Sequence, residues 1–227
     1  MTEIFDEWPE KYDRWFETPI GGLVRHYESR LINDMLQPGA GERILDAGCG
    51  TGVFTRDLLD AGAEVTGLDL SFPMLRRAGS KAAGYHFRRV QGDLRRLPFD
   101  ENSFDKVVSV TAIEFVEDAK GAMGELFRVT RPGGWIVVAS LNSLSPWAVR
   151  RKADAGAGHT IFRHAKFRSP DEMAALAPVR GVFRTAVHFL KDDNPLRART
   201  LEDEGQAKGL NTGAFLVVRW KKHPHGS

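Results

Sequence analysis

From Gly41 onward, short β-branched runs alternate with longer stretches in which apolar residues recur at spacings of three and four. That alternation permits few folds, because each run needs neighbouring strands and each amphipathic stretch needs a surface to cover. A parallel sheet with helices on both faces satisfies both needs. The runs at residues 43–47, 64–69, 86–91, 106–111 and 135–140 are short and mostly apolar, as strands buried on both faces are. Helices are expected at residues 53–61, 72–83 and 119–129; in the last, Ala122, Leu126 and Val129 share one stripe. Arg131-Pro132-Gly133-Gly134 is expected to stop that helix, since proline cannot continue it and glycine accepts the dihedrals of a turn.

The flanks are less regular. Residues 8–37 read as helical, with Leu23, Tyr27, Leu31 and Met35 on one stripe. After Ser140 the pattern gives way to Leu141-Asn142-Ser143-Leu144-Ser145-Pro146 and a basic segment, residues 150–168; this reads as a mobile excursion, of which residues 143–168 are expected to open and close as substrate enters. Two more β-rich runs, at residues 184–190 and 214–220, are joined by the polar stretch 191–213. They suit an antiparallel hairpin with a long connection at one sheet edge, for seven strands in all.

Composition sets outer bounds. The 227 residues, 42% hydrophobic and 27% charged, match one self-sufficient α/β domain rather than a disordered, fibrous or membrane chain. No apolar run approaches the ~20 residues that span a bilayer. The single cysteine, Cys49, allows no internal disulfide, and the first residues lack the order of a secretion signal, so a cytoplasmic setting is expected. A net charge of +2, with arginines scattered in pairs such as Arg76-Arg77 and Arg150-Arg151, fits solvated faces better than a nucleic-acid stripe.

The sharpest motif is Asp46-Ala47-Gly48-Cys49-Gly50-Thr51-Gly52, placed where the first run passes into a helix. Dinucleotide loops read G-x-G-x-x-G, but here Val53 occupies the third glycine position; triphosphate loops end in Gly-Lys-Ser/Thr, and this one continues Gly52-Val53-Phe54. Leu45 to Gly52 resembles the first motif of the class I S-adenosylmethionine-dependent methyltransferases, in the branch that acts on quinones and other small molecules. Gly67-Leu68-Asp69-Leu70-Ser71 resembles that family's second-strand acidic motif. Gln91-Gly92-Asp93-Leu94, with Leu97-Pro98-Phe99 and Phe104-Asp105, resembles its adenine-contacting segment. Glu125-Leu126 and Arg131-Pro132-Gly133-Gly134 resemble the approach to its fifth strand. These motifs cover residues 42–140, and the rest of the chain matches loosely.

The resemblance implies a doubly wound, mostly parallel α/β sheet of order 3-2-1-4-5-7-6 with the last strand antiparallel. It implies one domain over residues 1–227: a helical lid (1–40), a cofactor-binding core (41–140), a substrate-side excursion (141–182) and a C-terminal hairpin (183–222). S-Adenosylmethionine is the implied methyl donor, S-adenosylhomocysteine the product, and no metal is needed. Asp69 stands where a carboxylate accepts both ribose hydroxyls. Asp93 is placed to accept the adenine amino group, Leu94 to offer a backbone donor, and Leu70 to cover the purine face. Asp46 favours the cationic end of the ligand. Gly48, Cys49, Gly50, Gly52, Gly92 and Thr111 complete the expected cofactor contacts, with Tyr12 closing over them as a lid residue. Cys49, between two glycines, reads as a packing residue rather than a nucleophile.

For the acceptor the expectation is a small organic molecule, aromatic or amphiphilic, methylated on O, N or C. Three residues are candidate bases: Glu114, where many relatives carry histidine, and His159 and His164 in the excursion, with arginines there to hold an anion. Thr111-Ala112-Ile113 lacks the Asn/Asp-Pro-Pro-aromatic turn of enzymes that methylate amino groups of bases. One poorly placed cysteine suits neither pyrimidine C5 nor arsenic chemistry. Two alternatives stay open: an RNA or protein methyltransferase, suggested by residues 150–168, and a non-catalytic binder of S-adenosylmethionine, suggested by the missing histidine. The oligomeric state is left open, and no membrane span is expected.

Overall fold

A computed structural model describes residues 9–156 and 161–224. Its elements run α1 (Pro9–Phe16), α2 (Pro19–Leu36), β1 (Arg43–Ala47), α3 (Thr55–Asp60), β2 (Glu64–Asp69), α4 (Phe72–Lys81), β3 (Phe87–Gln91) and β4 (Phe104–Val110). After a 3-10 turn (Ile113–Phe115) come α5 (Ala119–Val129), β5 (Thr130–Leu141) and α6 (Pro146–Gly156). A second 3-10 turn (Ile161–His164) leads to α7 (Pro170–Ala174), β6 (Val182–Ala186), α8 (Pro195–Ala207) and β7 (Phe215–Lys221). The strands form one seven-stranded sheet in the expected order, β3-β2-β1-β4-β5-β7-β6. Every pair from β3 to β5 is parallel, and β7 runs antiparallel to both β5 and β6.

Side chains of successive strand residues leave opposite faces of the sheet, so each central strand feeds two cores. Ile44, Val137 and Phe215 pack with α2 and α3 on one face, while their neighbours Leu45, Val138 and Leu216 pack with α5 on the other. All six are fully buried, which explains why these runs are apolar throughout instead of alternating with polar residues. The strand order reverses between β1 and β4, so the loops leaving their carboxyl ends diverge and open a crevice between them. The glycine loop enters that crevice from β1, and Thr111 to Phe115 enters it from β4.

Several expectations change. The helical stretch 8–37 is two helices: Pro19 takes the first turn of α2, and the Thr18 hydroxyl accepts the Gly21 N–H at 3.0 Å as its cap. Arg131-Pro132-Gly133-Gly134 does end α5, yet it lies within β5 rather than in a turn, with Gly133 at φ +79°. The register shift between Phe104 and Lys106 absorbs this irregularity, and Gly133 N–H donates to the Lys222 carbonyl at 2.7 Å. β6 ends at Ala186 instead of reaching Leu190, because Val187 turns the chain at φ +65°. The connection to β7 carries α8, capped where the Asn194 side chain accepts the Arg197 N–H at 2.9 Å.

Phe215 lies under both sheet neighbours and is fully buried. Phe215→Ala is expected to cost about 3–5 kcal/mol, read as a lowered denaturant midpoint with the slope unchanged. Leu196→Ala, at a side chain 79% exposed, is expected to stay within about 0.5 kcal/mol.

Candidate functional site

The crevice holds a cavity of about 530 Å³, lined at one end by the glycine loop and at the other by aromatic and charged side chains of α1, α2 and α6. Its geometry begins at the end of β2. The Leu68 carbonyl accepts both the Gly48 and Cys49 N–H groups, at 2.7 and 3.0 Å. The Asp69 carboxylate accepts the Gly50 N–H at 2.8 Å through Oδ2 and the Ser71 N–H at 2.9 Å through Oδ1. Two strand ends are thereby clamped together through the loop backbone.

Gly48, Gly50 and Gly52 all have positive φ, and at Gly48 and Gly52 a Cβ would also crowd a neighbour, Ala112 and Ala78 respectively. Gly48 has φ +81°, and a Cβ there would stand 2.5 Å from the Ala112 Cβ. Gly50 has φ +53°, and a Cβ there would meet nothing within 4 Å. At Gly48 the glycine lets the β4 loop approach; at Gly50 it leaves the loop backbone open.

Charge is distributed unevenly. Asp46 is 2% exposed, accepts one hydrogen bond from the Thr55 hydroxyl at 2.6 Å, and is pushed up to about 7 by burial, with Asp69 adding to the effect. Burial likewise pushes the Cys49 thiol up, which leaves it an inert packing group. Asp93 is held below its ordinary range by Arg95, whose guanidinium bonds it at 2.6 Å. Asp13 in α1 accepts bonds from Lys81 (2.6 Å), Thr51 (2.7 Å) and Arg77 (3.0 Å). Burial works against its ionisation, and these donors outweigh burial, so its carboxyl sits below the ordinary value. The first helix is thus pinned to the glycine loop itself.

At the far end lie Glu114, 1% exposed, and Glu28, 8% exposed. Burial pushes Glu28 up to about 8 and Glu114 up to about 7, against the pull of Arg151 on both. The Ser140 hydroxyl and the backbone N–H groups of Glu114 and Leu141 lie close enough to the Glu114 carboxyl to favour its charge, yet none meets either oxygen in good hydrogen-bonding geometry, and Arg151 Nη1 likewise has no acceptor among the described residues. The Arg151 guanidinium lies over the rings of Trp147 (5.0 Å) and Phe162 (5.2 Å).

The family model described as "Methyltransferase domain" matches residues 45–138. The malonyl-[acyl-carrier protein] O-methyltransferase of Pseudescherichia vulneris is 32% identical over 214 residues, 81% of this chain and 84% of that protein. The chain belongs to the S-adenosylmethionine-dependent methyltransferases. The demethylmenaquinone methyltransferase of Renibacterium salmoninarum is 36% identical over 142 residues, 63% of this chain and 59% of that one. A Thermotoga maritima structure described as a S-adenosylmethionine-dependent methyltransferase, possible histamine N-methyltransferase, superposes with TM-score 0.76 at 21% identity. It covers 97% of this chain and 99% of that one, and it shows the shared fold.

In this methyltransferase the cavity is lined by Asp46, Gly48, Cys49, Gly50, Asp69, Leu70, Asp93, Leu94, Thr111 and Glu114. Gly52 and Gly92 do not line it. Gly52 closes the loop by donating to the Cys49 carbonyl at 2.9 Å, and Gly92 donates to the Asp69 carbonyl at 3.0 Å, where a Cβ would press on Leu68. Thr111 departs from β4 at φ +47°, an unusual conformation for a branched residue, which turns the chain into the crevice. His164 is a correction: it is exposed and does not line the cavity. His159 lies outside the described residues, as does the side chain of Tyr12 in α1.

Sequence reasoning did not single out Glu28, Trp147, Arg151 or Lys191, all of which line the cavity. Glu28 is the one with a signal, an acidic residue directly after Tyr27 on the buried stripe of α2.

The raised carboxyls fix the sign of a pH effect. A carboxyl whose folded value lies above its unfolded value near 4 stabilises the fold most when protonated, and that contribution is lost as pH rises through the folded value. Glu28, Asp46 and Glu114 all act in this direction. The ligand-free protein is therefore expected to lose stability between pH 5 and 8.5, read as a falling denaturant midpoint, and Glu114→Gln is expected to flatten that slope.

Proposed function

We propose that the cavity takes S-adenosylmethionine along the ends of β1, β2 and β3. Asp69 accepts the ribose hydroxyls, Asp93 accepts the adenine amino group, and Leu70 and Leu94 cover the purine. Asp46 and the loop from Gly48 to Gly50 receive the charged methionine end. The observation that carries this reading is Asp69: each oxygen takes one backbone N–H, which fixes the orientation of a carboxylate on the cavity wall, and the two oxygens of a carboxylate match a pair of hydroxyls. Asp46 supports it, since a buried carboxyl with one hydroxyl partner is completed by a cation and repelled by a phosphate. Bound S-adenosylmethionine supplies an already activated methyl on sulfonium sulfur, so the residues mainly align the acceptor and exclude water.

The acceptor in this proposal is a small organic molecule at the end walled by Trp15, Phe16, Trp147 and Phe162. Residues 1–40 act as the lid, 41–140 as the cofactor core, and 141–182 with the hairpin 183–222 complete the acceptor side, all as parts of one domain. The relatives' names give two acceptor types, a malonyl carrier thioester and a demethylmenaquinone, each belonging to those proteins. The polynucleotide or protein reading drew on the basic stretch 150–168, yet Arg168 there is 5% exposed and bonds the carbonyls of Ile113 and Lys166. Arg151 is turned inward over Trp147 and Phe162, on the cavity wall, rather than outward onto a phosphate track. The reading calls for no metal and for a cytoplasmic setting. Among the described residues no helix is long and apolar enough to cross a membrane.

Calorimetric titration with S-adenosylhomocysteine tests the proposal. Binding is expected in the wild type, and Asp69→Asn is expected to weaken it about 10- to 100-fold, the loss of hydrogen bonds to a charged acceptor. Undetectable binding, or equal affinity in the variant, would contradict it.

A further inference from the structure

Beyond the cofactor, the far end of the cavity carries two complementary vacancies in hydrogen bonding. Glu114 brings two buried acceptor oxygens whose near donors, Ser140 and the Glu114 and Leu141 backbone, do not meet them in good hydrogen-bonding geometry. Arg151 brings a buried Nη1 donor without an acceptor. In a folded protein such orphaned groups are costly and few; these two line one cavity and act on each other electrostatically, so a ligand there can complete them.

The required ligand atom both donates and accepts. A carboxylate accepts only, so beside the ionised form of Glu114, the form that can take a proton, it would set acceptor against acceptor. An ammonium donates only and leaves Arg151 unmet. A hydroxyl meets both, donating to Glu114 and accepting from Arg151 Nη1. The flanking surfaces are the rings of Trp147 and Phe162, on which the same guanidinium lies, with Trp15 edge-on to Trp147 at 6.4 Å. Such walls take a flat, apolar body.

From this we infer that the methyl acceptor is an acidic hydroxyl compound, a phenol or enol, whose proton Glu114 removes and whose oxygen Arg151 holds. The inference rests on the reading of the cavity as an S-adenosylmethionine site and adds the class of acceptor to it. The step balances: the O–H proton passes to the Glu114 carboxylate, an oxygen lone pair forms the O–CH3 bond, and the C–S bond breaks with its electrons left on sulfur. S-Adenosylhomocysteine, a methyl ether and protonated Glu114 result. Arg151 offsets the negative charge that develops on oxygen.

The groups that face Glu114 from the surrounding elements are Glu28 of α2, Arg151 of α6, Arg168 before α7, and Ser140 with the Leu141 backbone of β5. Two positive groups and one carboxyl act on it electrostatically, while burial keeps its proton exchangeable near neutrality. Transfer is therefore expected to speed up from pH 5.5 to 8 and then level off.

The experiment combines wild-type protein, isotopically labelled S-adenosylmethionine and a bacterial small-molecule extract, followed by mass analysis of the labelled products. Expected is a methyl ether that survives mild base. Glu114→Gln is expected to lower kcat by about 100-fold or more, with Glu114→Asp recovering part of it. Arg151→Lys is expected to raise KM about tenfold, losing the fork and the stacking. S-Adenosylhomocysteine binding measured on each variant should stay within about twofold of wild type, which shows the fold and cofactor end intact.

A base-labile methyl ester, an N-methyl product, or a Glu114→Gln protein that transfers methyl at the wild-type rate overturns the inference. None of these disturbs the cofactor assignment, because each still requires the methyl donor to bind. Failure of the wild type to bind S-adenosylhomocysteine overturns both readings together and is thereby distinguishable.

Discussion

The structure hangs on the clamp between the end of β2 and the glycine loop leaving β1. Leu68 holds the loop's first two N–H groups through its carbonyl, and Asp69 holds the Gly50 N–H through its carboxylate. Parallel strands diverge at a topological switch point, and a loop there would otherwise have unpaired backbone and freedom to collapse into the crevice. With these bonds made, the loop backbone is fixed at positive φ, the cavity stays open, and Thr51 faces α1 to receive Asp13. The first helix, the sheet and the cavity thus share one set of hydrogen bonds.

From that clamp outward the cavity divides by charge. Near the loop, Asp46, Asp69 and Asp93 form an acidic wall, in which Asp93 is paired with the guanidinium of Arg95. At the far end the two carboxyls, Glu28 and Glu114, are matched against Arg151 and flanked by rings. A donor that carries positive charge at one end and loses it during transfer suits the first wall before reaction and is held less tightly after it, as product release requires. With Arg168 also acting on Glu114, the second end sets two carboxyls against two guanidinium groups and carries unmet hydrogen bonds, the pattern of a surface shaped for a particular polar atom rather than for net charge.

The parts of this fold that were legible in the sequence are those governed by a local period. Ile44 and Leu45, or Val137 and Val138, announce doubly covered strands because both faces need apolar residues. Ala122, Leu126 and Val129 announce α5, whose bounds the period gives correctly. What escaped was governed by contacts distant in sequence. α8 has little apolar periodicity, and its one signal, Asn194 before Pro195, is a cap that a polar loop also tolerates. Arg151 sits in an arginine pair that reads as solvated, and only the fold turns it inward onto Trp147. His164 shows the reverse error: a chemically suitable side chain in a plausible segment that the fold leaves at the surface.

The central claim is that the cavity is built for a cationic methyl donor completed by Asp46. The most direct test is the affinity for S-adenosylmethionine as a function of pH, in wild type and in Asp46→Asn. Since the buried carboxyl is held near 7 without a cation, binding must displace its proton. Affinity is therefore expected to rise with pH up to about 7, by at most about tenfold per unit, with proton release that disappears in the variant. An affinity independent of pH in the wild type, or the same proton release in Asp46→Asn, would contradict the account.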